Sequence, residues 1–361
     1  MKILHIINSL TAGGAEKLLV DSVIEYHKNG IDVAILVLKK TKSPFLEELK
    51  NYPQIDIFYL SKTASVYSLL NIFRLRKYVK KYDILHVHLF PALYWVSLMK
   101  YITGYRGKIV LTEHSTNNKR RRYFLFRLID RFIYKNYDKI IAISKLADQK
   151  LSNHLGQKFK NISYINNGVE IEKFQTAASA EDLYKDWSKD HFVLIQVSSF
   201  RYPKDQITLI QGMANLQKNI HLVLVGDGPL KLEAENLSSE LGVNKNVHFL
   251  GVKNNVPQLL KSADLVILSS HYEGLSLSSI EGMASGRPFI ATNVPGLKEV
   301  VQNAGVLFEY KDSNTFVKIV NDLKNDKDLY NQVALACSKR AKEYDLSTMI
   351  KNYTKLYESL I

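Results

Sequence analysis

Two carboxylates bracket the stretch Glu273-Gly274-Leu275-Ser276-Leu277-Ser278-Ser279-Ile280-Glu281, which follows an apolar run over Asp264–Ser269. Serine is a helix-capping type, so a helix is expected to open near Ser276 or Ser278, with Glu273 on the loop before it and Glu281 in its first turns. The exposed amides and partial positive charge of such a helix start suit a phosphate. Carboxylates on either side suit hydroxyl groups, one those of a ribose and the other those of a second sugar. The same residues also fit a solvated loop glutamate and a helix-dipole partner, and the stretch alone leaves both readings open.

Other residue pairs are weaker signals. His86 and His88 lie two apart in a strand and face one side, but no nearby Cys or carboxylate completes a ligand set, so a structural or ligand-cleft role is favoured over a metal. Asp326-Lys327-Asp328 lies in a charged helical stretch and reads as solvated. Cys337 is the single cysteine, which excludes an intrachain disulfide and a cysteine metal cluster and fits a reducing compartment.

Short apolar runs alternate with helical spacing along the chain. Strands are expected at Lys2–Asn8, Asp32–Leu38, Ile55–Leu60, Asp83–His88, Lys108–Glu113, Lys139–Ser144 and Ile162–Asn166. Helical segments between them include Glu16–His27, Val66–Lys81 and Arg121–Asn136. Glu170–Asp190, with its Ala177-Ala178-Ser179-Ala180 run, reads as a connector. Strands then resume at Phe192–Ser198, His221–Val225, Val247–Leu250, Asp264–Ser269, Pro288–Thr292 and Val306–Phe308, and a closing helix is expected over Ser347–Ile361. This is an α/β pattern of two tandem Rossmann-like, doubly wound domains, 1–170 and 171–346, with 347–361 packing back on the first. Ligands in such sheets bind outside the carboxyl ends of the strands, so the cleft facing both domains is the expected site.

The charge is lopsided. Residues 1–170 carry 28 Lys and Arg against 13 Asp and Glu, whereas residues 171–361 carry 21 against 22. A polyanionic partner is therefore expected for the first half alone. Its sharpest basic segment is Lys119-Arg120-Arg121-Arg122-Tyr123-Phe124-Leu125-Phe126-Arg127-Leu128-Ile129-Asp130-Arg131-Phe132-Ile133. Leu125, Leu128, Ile129, Phe132 and Ile133 are expected to form a core stripe, leaving a basic face. A second basic helix carries Arg74, Arg76, Lys77, Lys80 and Lys81. Such faces suit an anionic membrane surface. No nucleic-acid recognition motif is present. The N-terminus is too short and polar for a signal peptide and no apolar run reaches spanning length, so a cytoplasmic protein, peripheral on the inner face of the cell membrane, is expected.

The run Gly282-Met283-Ala284-Ser285-Gly286-Arg287-Pro288, followed by a strand and Val294-Pro295-Gly296, continues the two-glutamate stretch. Together they closely resemble the signature of glycosyltransferase family 4, whose members have the two-domain GT-B fold. Gly13-Gly14-Ala15-Glu16 after the first strand resembles that family's glycine-rich loop, and Asn166-Asn167-Gly168-Val169 its domain junction. Val225-Gly226-Asp227-Gly228-Pro229 resembles its second donor-domain loop, although a plain Asp-Gly-Pro turn has the same composition.

The resemblance implies a retaining, metal-independent transfer of a sugar from a nucleotide-diphosphate sugar, UDP- or GDP-linked. Lys204 would hold the diphosphate. The family's arginine is expected five positions earlier, where Ser199 stands, and Arg201 is expected to take its role from a shifted loop. Glu273 would bind hydroxyls of the transferred sugar, Glu281 the ribose, and His114, after the strand Lys108–Glu113, would face the transferred sugar. Gly13, Gly14, Gly226, Gly274, Leu275, Ser276 and Leu277 would line the donor. A donor phosphate oxygen is the expected base. The acceptor would be a glycan or a polyprenyl-diphosphate-linked glycan on the first domain, in cell-surface polysaccharide assembly, with no cofactor or metal. Two other readings remain open: a sugar-nucleotide epimerase of the same fold, and a non-catalytic nucleotide-sugar binder.

Overall fold

A computed structural model describes residues 1–11, 13–43, 45–114, 123–156, 159, 161–180 and 190–361. The chain forms two compact units, Met1–Gly168 with Leu346–Ile361, and Val169–Asp345.

The first unit is built on strands β1 (Lys2–Ile7), β2 (Asp32–Lys39), β3 (Asp56–Ser61), β4 (Ile84–His88), β5 (Lys108–Glu113), β6 (Lys139–Ala142) and β7 (Ile162–Tyr164). They lie parallel in the order β3-β2-β1-β4-β5-β6-β7. The second unit has β8 (Phe192–Val197), β9 (Ile220–Val225), β10 (Val247–Gly251), β11 (Leu265–Leu268), β12 (Phe289–Thr292) and β13 (Val306–Phe308), in the order β10-β9-β8-β11-β12-β13. Counted from each unit's first strand, both sheets follow the doubly wound order 3-2-1-4-5-6, which the first extends by a seventh strand. The order reverses between β1 and β4 in one unit and between β8 and β11 in the other. The strands read as unbroken apolar runs because helices cover both sheet faces. Ile3, Leu4, Ile6 and Ile7 of β1 are all fully buried.

One face of the first sheet packs Leu4, Ile6, Leu85 and Val87 against Leu75, Leu93 and Ile133 from helices Asn71–Val79, Ala92–Thr103 and Phe124–Lys135. The other face carries His5, His86 and His88, beneath helices Gly14–Lys28 and Leu346–Glu358. The last helix is fastened there by Tyr357, whose hydroxyl lies 2.6 Å from His86 Nδ1 and 3.2 Å from the Tyr26 hydroxyl. Tyr353 and Tyr357 are buried, which stabilises this return by about 1.5–3 kcal/mol per side chain.

Three expectations change. The helix expected over Val66–Lys81 runs only over Asn71–Val79. Trp95 Nε1 donates to the Val66 carbonyl at 2.7 Å and Asn71 Nδ2 donates to it at 3.2 Å, holding that carbonyl out of a helical ladder. The connector Glu170–Asp190 contains a helix, Ile171–Gln175, whose Ile171 and Phe174 enter the second core; residues 181–189 lie outside the described residues. In helix Phe124–Lys135 only Ile133 of the expected core stripe faces inward. Leu125 is 66%, Leu128 47% and Phe132 47% exposed, and the inward face is Asp130, Ile133 and Tyr134. Buried Asp130 pairs with His154 Nε2 at 2.8 Å and accepts from the Tyr94 hydroxyl, so the inward face carries a satisfied carboxylate. Arg120–Arg122 of the basic segment lie outside the described residues. Among the described residues no helix is long and apolar enough to cross a membrane.

Candidate functional site

The loops leaving β8 and β11 meet at the second unit's switch point. His271 N donates to the Pro203 carbonyl at 2.8 Å, Asp205 N to the Ser269 carbonyl at 3.1 Å, and Lys204 bridges Ser270. Gln196 Oε1 accepts from Ser269 N at 2.7 Å, and Asp205 Oδ2 accepts from Ser269 Oγ at 3.2 Å. Asp205 also caps helix Gln206–Met213. Both loops are therefore fixed to each other by protein contacts.

This zipper brings Lys204 Nζ into an ion pair with Glu273 Oε1, their side chains 15% and 13% exposed. Arg201, three residues earlier, is exposed, and its side chain has no hydrogen-bond or ion-pair partner among the described residues. Ser199 is half-buried, and its carbonyl accepts from Gln206 Nε2 at 3.2 Å. Ser276 caps helix Leu277–Ala284, its hydroxyl accepting from Ser279 N at 3.4 Å. The amides of Leu277 and Ser278 have no acceptor among the described residues. They form an open, partly positive helix start beside Gly274 and Leu275. Glu281 is half-buried in the second turn of that helix. Gly226 is required for close approach: at φ +138, a Cβ would lie 2.1 Å from the Ser198 carbonyl oxygen.

Sequence reasoning passed over the aromatic rim of this pair. Tyr202 is 64% exposed, its ring centroid 4.9 Å from that of His271, which is 4.6 Å from that of Tyr310. The signal lies in Tyr202-Pro203-Lys204 and His271-Tyr272-Glu273, where each charged residue follows aromatics.

In the first unit, Gly13 caps helix Gly14–Lys28 in an extended conformation, its carbonyl accepting from Lys17 N at 2.9 Å, just beyond β1. Nearby Glu16 accepts from Thr11 Oγ1 at 3.4 Å, and burial raises its carboxyl pKa. His114 follows β5 and is half-buried, with Nε2 2.9 Å from His88 Nδ1. Burial lowers its pKa to about 4 against the opposing field of Glu113. His86 and His88 are joined by His5, the register partner of His86, which the sequence reading missed as a lone histidine in an apolar run. Ligand atoms of these three rings lie within 4.8 Å of one another. Asp326 is an exposed cap of helix Lys327–Ala341, accepting from Leu329 N at 2.9 Å.

Residues 12–173 match the family described as Glycosyltransferase Family 4, and residues 183–343 the family described as Glycosyl transferases group 1. The N-acetyl-alpha-D-glucosaminyl L-malate synthase of Bacillus anthracis is 29% identical over 320 residues, covering 86% of this chain and 81% of its own. The UDP-Gal:alpha-D-GlcNAc-diphosphoundecaprenol alpha-1,3-galactosyltransferase of Escherichia coli is 26% identical over 283 residues, covering 74% of this chain and 73% of its own. Among solved structures, Anabaena Alr3699/HepE in complex with UDP and glucose superposes with a TM-score of 0.86 over 100% of both chains at 22% identity, a likeness of fold. With two Rossmann-like sheets of the GT-B type and both family matches in register with them, the chain belongs to glycosyltransferase family 4 and is a glycosyltransferase.

Proposed function

We propose that the chain transfers a sugar, with retention of configuration and without a metal, from a UDP- or GDP-linked donor held by the second unit to a glycan or polyprenyl-diphosphate-linked glycan held by the first. The observation that carries this reading is the Lys204–Glu273 pair at the β8/β11 switch point, beside the open amides of Leu277 and Ser278. The pair holds the Lys204 cation in place. An arriving diphosphate competes for Lys204, and Glu273 is released to accept from hydroxyls of the transferred sugar. Lys204, exposed Arg201 and the helix start then stabilise the charge that grows on the departing nucleotide. Glu281 binds the ribose, His114 faces the transferred sugar, and Gly13, Gly14 and Gly226 let backbone approach the donor. A donor phosphate oxygen takes the acceptor proton, so the two glutamates are not an acid/base pair of the glycosidase kind.

The acceptor's expected setting has support in helix Phe124–Lys135. Phe124, Leu125, Leu128, Ile129 and Phe132 are exposed on one face, and Tyr101 and Ile102 stand beside them, with the Tyr101 and Phe132 rings 5.4 Å apart. Arg127 and Arg131 on the same helix donate to the carbonyls of His154 and Leu155 at 3.0 and 2.8 Å and keep their charge near the patch. An apolar face with cations at its edge suits an anionic leaflet, which supports the reading of a peripheral protein on the cytoplasmic side, acting in cell-surface glycan assembly.

The test is a panel of UDP- and GDP-sugars with and without a polyprenyl-diphosphate glycan. Release of free nucleotide that rises with acceptor, and a product of the donor's own anomeric configuration, are expected. Inversion of configuration, or an epimerised nucleotide-sugar as product, overturns the reading.

A further inference from the structure

The histidines beneath helices Gly14–Lys28 and Leu346–Glu358 form a directed line. His5 Nδ1 lies 3.0 Å from His88 Nε2, and His88 Nδ1 lies 2.9 Å from His114 Nε2. His5 and His88 are 1% and 5% exposed, so the line runs from the sheet's interior to the end of β5. Its inner end is unsatisfied, because His5 Nε2 is buried with no hydrogen-bond partner. The cavity beside it, about 20 Å³, is walled almost wholly by carbon, which gives a water too few polar partners. His86 stands outside the line, its Nε2 2.7 Å from Thr112 Oγ1 and its Nδ1 on the Tyr357 hydroxyl.

Burial holds the rings neutral, lowering the pKa of His5 to about 3 and of His114 to about 4, with His88 also far below its usual value. Each ring therefore carries one N–H. The protons must be all on Nδ1 or all on Nε2, since a mixed set brings two lone pairs or two N–H groups face to face. The two arrangements differ at the inner end. Protons on Nε2 bury an N–H of His5 with no acceptor, whereas protons on Nδ1 leave only a bare lone pair. Orphaned buried N–H groups are the rarer and costlier defect.

We infer that His5, His88 and His114 form a tautomer lock, in which the orphaned His5 Nε2 forces the proton onto Nδ1 of every ring and His114 meets its ligand as a neutral Nδ1–H hydrogen-bond donor. His88 is then a positioning residue acting through His114. The consequence for sugar transfer rests on His114 facing the transferred sugar; the tautomer itself does not. A divalent cation at His5, His86 and His88 is the competing use of these rings. Both nitrogens of His86 and of His88 are already hydrogen-bonded, so an ion would displace one of those bonds at each of the two rings. The carboxylate next to the line, Glu113, is held by the Tyr134 hydroxyl at 2.6 Å and does not line the cavity, so nothing there offsets the ion's charge.

Long-range ¹⁵N–¹H correlation spectra of the histidine-labelled wild-type protein, ligand-free and near neutral pH, read the tautomers directly. Single His→Gln variants assign the rings. The expected result is the Nδ1–H pattern for His5, His88 and His114. An Nε2–H pattern or a charged ring at His114 overturns the inference, as does metal-bound chemical shifts at His5, His86 and His88 on adding zinc at stoichiometric concentration. If His114 does not face the sugar, these spectra are unchanged, so the two readings fail separately. In kinetics, His88→Asn retains an N–H near the Nδ1 position and should keep kcat close to wild type, whereas His88→Leu should lower kcat ~10-fold at unchanged donor KM. Equal loss in both variants overturns the positioning role. Should His88→Leu fail to fold, the wild-type spectrum still decides.

Discussion

Gly296 presses against the backbone of Glu273: at φ +87, a Cβ there would lie 2.3 Å from the Glu273 carbonyl oxygen, and Glu273 N donates to the Pro295 carbonyl at 3.0 Å. The loop after β12 thus braces the loop that carries the carboxylate. Gly296→Ala meets both a disfavoured backbone region and a backbone oxygen. It should destabilise the second unit by at least about 2 kcal/mol and lower transfer activity, because relief requires Glu273 to move. Urea unfolding and donor hydrolysis check it. A variant as stable and as active as wild type would remove the brace from the account.

Lys204→Ala and Glu273→Ala should each lower turnover at least ~10-fold, about 1.4 kcal/mol of barrier. The double variant should lose less than the product of the two single losses, because each single change also strands a poorly solvated partner. Steady-state nucleotide release measures all four proteins. Wild-type rates in both single variants would show that the pair is structural alone.

The strands were legible because parallel sheets covered on both faces demand unbroken apolar runs, as in Val193-Leu194-Ile195 of β8, all fully buried. The position of Glu273 followed from a strand end and the helix cap after it, whereas Lys204 came from the family resemblance. Helix orientation did not follow: a 3.6-residue repeat shows that a face is apolar, not that it points inward. In helix Phe124–Lys135 the buried side is the one that gives Asp130 a histidine and a tyrosine partner. His5 was hidden for a related reason. A single polar residue in an apolar strand gains meaning only from its neighbours across β4 and β5, and register is not written in one strand. The brace at Gly296 depends on a contact between loops 23 residues apart, which local turn chemistry does not encode.

The histidine layer makes stability depend on pH. Burial lowers the pKa of His5 and His114 to about 3 and about 4, and those of His86 and His88 far below the usual value near 6.5. In that window the unfolded chain binds protons that the folded one refuses, so stability rises with pH. The contribution is complete above about pH 6.5 and is lost as pH falls toward 4, at up to about 1.4 kcal/mol per pH unit for each ring. Urea midpoints across this range should fall on acidification, and His5→Leu should flatten the slope by one proton. A slope indifferent to that substitution would place the acid sensitivity elsewhere.

The exposed face of helix Phe124–Lys135 can be changed without touching a core. Leu128 and Phe132 are each 47% exposed, so Leu128→Glu with Phe132→Glu should leave folding within about 0.5 kcal/mol while turning an apolar, cation-flanked surface into an acidic one. Wild type should float with vesicles containing anionic lipid, less so at high salt, which screens only the electrostatic part of the attraction. The double variant should stay in the soluble fraction at every salt concentration yet still release nucleotide from the donor in solution. Equal flotation of both proteins would show that this face does not meet the bilayer.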